Sequence, residues 1–147
     1  MKITYAISLL LLGIALLGSC SQDKVMEKLY ADRLVTENHS VVSPSQEYSL
    51  EMEIYYSDNV TGFSFIIRNI LDNEEIYRSD DFYRLRDVTY LCWGDDDDTV
   101  WVYSGDVGTY YWERTDGEWV KNTYAENKDR AIAPEPFSKT YTNLLKE

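Results

Sequence analysis

Residues 48–69 read YSLEMEIYYSDNVTGFSFIIRN, and the architecture turns on their alternation. Leu50, Met52 and Ile54 alternate with Glu51 and Glu53, and Phe63, Phe65 and Ile67 alternate with Ser64 and Arg68. A period of two is the signature of a strand with one face buried. Folding the stretch about Asp58-Asn59 sets Ile54 opposite Phe63, Met52 opposite Phe65 and Leu50 opposite Ile67. The apolar sets then meet on one face, as a hairpin register requires. Glu51 and Arg68 fall diagonally on the other face, within reach of an ion pair.

Downstream, the same logic predicts a short strand at 75–78 and a meander over 87–124. Strands are predicted at 88–93, 99–104, 109–115 and 118–124, with turns at "GDDDD", "SGDVG" and Asp116-Gly117. The Asp-Gly dipeptide is a strong two-residue turn signal. Pairing across these turns sets Cys92 opposite Val100, Leu91 opposite Trp101, Trp101 opposite Tyr110, and Arg114 opposite Trp119. One face then collects Val88, Tyr90, Cys92, Val100, Val102, Tyr111 and Val120, with Glu113. The other collects Leu91, Trp93, Trp101, Tyr103, Tyr110, Trp112, Arg114, Trp119 and Lys121. This parity rests most heavily on the Gly105-Asp106 turn, where a three-residue loop would invert the last two strands.

An aromatic face with all four tryptophans has two readings. Large aromatics dominate small β cores, so the face packs against the first hairpin, with Arg114 and Trp119 as a cation–π pair. Alternatively it is a platform for a ligand, because Trp, Tyr and Arg are the usual anchors of binding surfaces. The candidate ligand-binding residues are Trp93, Trp101, Tyr103, Tyr110, Trp112, Arg114 and Trp119.

The first 20 residues are of a different kind. Lys2 precedes a mostly apolar run, 3–17, interrupted by Thr4 and Ser8. That is too short and too interrupted for a spanning helix, and it has the layout of a secretory signal. Leu17-Gly18-Ser19-Cys20 resembles the lipobox of bacterial lipoproteins. The resemblance implies a diacylglyceryl (palmitate-type) thioether on Cys20, cleavage before it, and residence in the bacterial cell envelope. Two acyl chains suffice for stable anchoring without a transmembrane helix. Cys92, in an apolar strand, is then a buried free thiol, whereas a Cys20–Cys92 disulfide would contradict the lipid. "SPSQEYSL", residues 43–50, resembles the "SP-D-G-x-Y" strand openings of propeller blades and of small bacterial lipoprotein β domains, although its Asp-Gly is absent and Ser45-Gln46-Glu47 occupy that place.

The chain has 147 residues, with 14 basic against 26 acidic side chains and a net charge of −12. Cleavage before Cys20 removes Lys2 and no acid. Such acidity argues against nucleic acid and against adsorption to anionic lipid, and admits a basic partner. His39 is the only histidine, which removes most zinc sites and histidine-based nucleophilic mechanisms. Asp95–Asp98 lack the spacing of a calcium loop and read as a solvated turn. Glu113 and Glu118, with Asp106 nearby, are the carboxylates that a glycan hydrolase would use, yet nothing in the pattern sets two of them across one bond.

The sequence therefore predicts a mainly β protein, an antiparallel meander or small sandwich. Residues 1–19 read as signal peptide, 20–45 as a lipidated tether, and 46–147 as one β domain. Val25, Met26, Leu29 and Tyr30 mark a short helix in the tether. "APEPF" should block regular structure, and a short C-terminal helix capped by Ser138 should pack Tyr141, Leu144 and Leu145. The expected function is non-enzymatic binding of a glycan or protein partner at the envelope, without cofactor or metal. A glycan-directed hydrolase and an inhibitor or immunity-type protein against a basic enzyme or toxin are the alternatives.

Overall fold

The computed structural model describes residues 24, 27–57 and 59–140. The lipobox, Val25, Met26, Tyr141, Leu144 and Leu145 lie outside these residues. The chain divides after Ala31. Before that point, Lys24 and residues 27–29 have helical backbone. From Asp32 onward the chain is mainly β, in two antiparallel sheets.

The first sheet holds β1 (Val41–Val42), β2 (Tyr48–Tyr55), β3 (Gly62–Asn69) and β4 (Glu75–Arg78) in that order. A fifth strand, β5 (Tyr83–Arg84), pairs with β3 beyond β4. In the β2–β3 hairpin Leu50 faces Ile67, Met52 faces Phe65 and Ile54 faces Phe63, the register that the alternation predicts. Charged side chains cover the opposite face. Arg68 Nε pairs with Glu51 at 3.1 Å, and Arg78 Nη2 with Glu75 at 2.7 Å.

Residues 34–42, assigned to the tether by sequence, take part in the β body. Leu34 and Val35 are buried, and Leu34 bridges Cys92 while the Val35 N–H donates to the Leu91 carbonyl at 2.8 Å. Val41–Val42 adds a strand to β2. These two apolar dipeptides are too short to show a period, yet each covers an otherwise open strand edge. The β1–β2 turn closes with the Ser43 N–H on the Tyr48 carbonyl at 2.8 Å, and places Gln46 at φ 65°. That is the position where the resembled pattern carries glycine, the residue suited to left-handed backbone.

The second sheet is a meander of β6 (Thr89–Trp93), β7 (Val100–Ser104), β8 (Gly108–Thr115) and β9 (Glu118–Thr123). Its first two registers each differ by one residue from those predicted. Cys92 faces Trp101 rather than Val100, because the Gly94 N–H donates to the Thr99 carbonyl at 2.7 Å and leaves an even loop at 95–98. Trp101 faces Tyr111 rather than Tyr110, because Ser104 pairs with Gly108 across a three-residue loop. Gly108 adopts φ 96°, the left-handed position such loops use. The two slips cancel on either side of β7, so that strand alone is inverted. The third hairpin is as predicted, with Arg114 opposite Trp119 about Asp116 (φ 53°) and Gly117 (φ 90°).

The sheets pack face to face. Leu50, Phe63, Phe65 and Ile67 meet Leu91, Trp93, Val100, Val102, Trp112 and Trp119 in one core. Phe65 stands edge-on to Trp112 at 4.8 Å, and the Trp93 indole N–H donates to the Val41 carbonyl at 2.8 Å. The outer face of the second sheet is covered by the segment after β9. Tyr124 packs on Trp101 at 5.6 Å and Phe137 on Tyr103 at 6.1 Å. Helix α1 (Glu135–Thr140) starts within "APEPF", the stretch expected to be irregular. Proline is tolerated there because first-turn N–H groups lack helical partners. The Asp95 carboxylate accepts the Glu135 N–H at 2.9 and 3.1 Å.

Candidate interaction surface

The sequence-predicted aromatic face divides between two layers. Trp93, Tyr110, Trp112 and Trp119 belong to the inter-sheet core, while Trp101 and Tyr103 lie on the outer face with Tyr90, Cys92 and Tyr111. No tryptophan is more than 9% exposed. Trp101 stacks on Tyr111 at 4.9 Å, so even the inverted strand spends its aromatics on packing. Such pairs contribute roughly 0.5–1.5 kcal/mol beyond their area. A ligand platform needs open rings, and these seven residues do not present one: only Arg114 is exposed and Tyr110 partly so.

The two cations beside these rings serve the same packing. Arg114 does not ride on Trp119. Its guanidinium sits 5.7 Å from the Tyr48 ring centroid, bonds the Tyr48 hydroxyl, and donates from Nε to the Gly117 carbonyl at 3.3 Å. Burial pushes the Tyr48 phenol up, and Arg114 draws it part of the way back. Lys121 Nζ lies 4.2 Å from the Tyr110 centroid and 2.6 Å from Asp81 Oδ1, joining the second sheet to the loop before β5.

The acidic residues are also engaged. Asp95 holds Arg33 and the start of α1, Asp97 accepts the Thr99 N–H at 3.1 Å, and Asp98 accepts the Ser45 N–H at 3.0 Å. Asp95 and Asp98 thus clasp distant segments, while Asp97 closes its own loop, within a turn that is otherwise solvated. Glu113 pairs with Arg130 at 2.7 Å on the outer face, and Glu118 lies at the hairpin end opposite Thr115. Among the described residues no group of three or more His, Cys, Asp or Glu could hold a metal. Cys92 is wholly buried, and burial pushes its thiol far above the ordinary range, so it is a packed, unreactive sulfur.

An open apolar surface lies elsewhere, where β2 ends and β3 begins, beside β5. The Phe82 ring sits directly over Gly62, where any β-carbon would collide with it. Tyr55, paired with Gly62, places its ring 6.4 Å from that of Phe82. The Leu85 N–H donates to the Thr61 carbonyl at 3.0 Å, which brings Leu85 alongside. Phe82 is 48% exposed, Tyr56 71%, and Tyr55, Val60 and Leu85 about two-fifths each. Beside them runs a groove of about 340 Å³ lined by Asn59, Val60, Thr61, Arg84 and Arg86. Sequence reasoning missed this surface because "DDFYRLRD" has neither period two nor a motif. The one available signal was Gly62 inside an otherwise bulky strand, which marks close approach by another group.

No family model, curated protein or solved structure matches this chain at a significant level. Among the described residues no helix is long and apolar enough to cross a membrane.

Proposed function

We propose that this chain is a bacterial envelope lipoprotein, anchored through Cys20, whose β body is a non-enzymatic binding module for a protein partner. One observation carries the reading: Tyr55, Val60, Phe82 and Leu85 stay open around the Gly62 end of the first sheet, while most other large aromatics among the described residues are packed away. Exposed apolar patches rimmed by polar groups mark interaction sites. The aliphatic members, Val60 and Leu85, favour a protein partner over a glycan, which stacks on aromatic planes alone.

The test is a photo-reactive residue placed at position 82, and separately at the still more open position of Ile132, in cells that carry the protein. A discrete protein adduct at position 82 and none at position 132 is expected. No adduct, or the same adducts at both, overturns the binding reading. Mass spectrometry of the Cys20 peptide tests the anchor separately, with a diacylglyceryl adduct expected and an unmodified thiol overturning it.

A further inference from the structure

We infer that the groove beside Phe82 receives a carboxylate from a protein segment whose neighbouring apolar side chain covers the Phe82 patch. The inference rests on the binding reading and adds the chemistry of the partner. The charge pattern carries it. Acids outnumber bases nearly two to one in this chain, and its arginines are accordingly claimed: Arg33 by Asp95, Arg68 by Glu51, Arg78 by Glu75, Arg130 by Glu113. Arg114 is engaged by Tyr48. Arg84 is different. It is exposed on β5 opposite Gly62, and it closes on no carboxylate among the described residues. Arg86, its side chain 74% exposed, reaches only its neighbour Asp87, at 3.6 Å.

Both line the same groove, with Val60 as its apolar wall. A guanidinium fork matches a carboxylate bidentately, which gives geometric specificity as well as energy. Two such forks beside an aromatic-aliphatic patch are complementary to an acidic side chain next to a large apolar one. The net charge of −12 repels an acidic partner at long range, so recognition here is by contact and not by steering.

The test uses the full-length chain and two labelled peptides, fluorescein-Leu-Phe-Glu-Glu-amide and fluorescein-Leu-Phe-Gln-Gln-amide, followed by anisotropy. The Glu peptide should bind about tenfold more tightly, and the Arg84→Gln, Arg86→Gln double variant should lose that preference while its thermal midpoint stays unchanged. Phe82→Ser should weaken both peptides alike. Equal binding of the two peptides, or a preference that survives loss of both arginines, overturns the inference. So does arginine-dependent binding to phosphatidylglycerol vesicles with no peptide binding, which would assign the groove to lipid headgroups. If the carboxylate preference fails while the adduct at position 82 persists, the binding reading stands and only the partner chemistry falls.

Discussion

At the scale of single residues, charge is spent on closing the first sheet. On its outer face Glu51, Arg68, Glu75, Arg78 and Glu53 form one ladder, and Arg68 also reaches Glu75 at 3.6 Å. The hydrogen bond from Arg78 is the main reason that the Glu75 carboxyl lies below its ordinary value, with attraction from Arg78 and Arg68 adding to it. A carboxyl depressed in the folded state contributes stability that is present above its unfolded value near 4.5 and is lost as pH falls through the lower folded value. Titration followed by carboxyl carbon shifts should find Glu75 ionising below the ordinary glutamate value, and Arg78→Gln should move it back toward that value. A Glu75 midpoint that ignores Arg78 would contradict this assignment. The ladder is solvent-exposed, so its energetic weight is small and salt-sensitive.

At the scale of elements, turn chemistry decides more than strand propensity does. The Asp116-Gly117 turn was legible because a two-residue turn demands left-handed backbone, which Asp and Gly tolerate, and φ values of 53° and 90° are what they adopt. The Gly94–Thr99 and Ser104–Gly108 closures were not legible, since several loop lengths suit the same residues and one residue more or less inverts a strand. β7, VWVYS, is buried at all five positions, so it has no polar side to betray the error. Gln46 shows the opposite case, a residue at φ 65° in a turn that would suit glycine. Left-handed backbone costs an L-residue about 1–2 kcal/mol, partly offset by the entropy that glycine loses on folding. Gln46→Gly should therefore stabilise the protein by about 0.5–1 kcal/mol in urea unfolding. A destabilised variant would show that the Gln46 side chain contributes more than its backbone costs.

At the scale of the whole molecule, the two kinds of aromatic residue have opposite fates. Trp112 is fully buried between the sheets, and its truncation leaves a cavity that packing cannot refill. Trp112→Ala should cost about 3–5 kcal/mol. Phe82→Ser, at the open end, should cost at most about 1 kcal/mol, in keeping with a half-exposed site. Equilibrium denaturation of the two variants measures the difference, and equal losses would mean that the Phe82 end is core rather than surface.

Reading along the chain was enough for the mainly β class, the β2–β3 register and the last hairpin. Each is set by local alternation or by turn residues with one preferred backbone, information that near neighbours carry. Folding in three dimensions settled which side β7 turns to the core, that residues 34–42 complete the sheets, and that Asp95 clasps α1. It also settled which aromatics remain open. Those outcomes depend on which surfaces are covered from both sides, and coverage is a property of distant segments that no local period encodes.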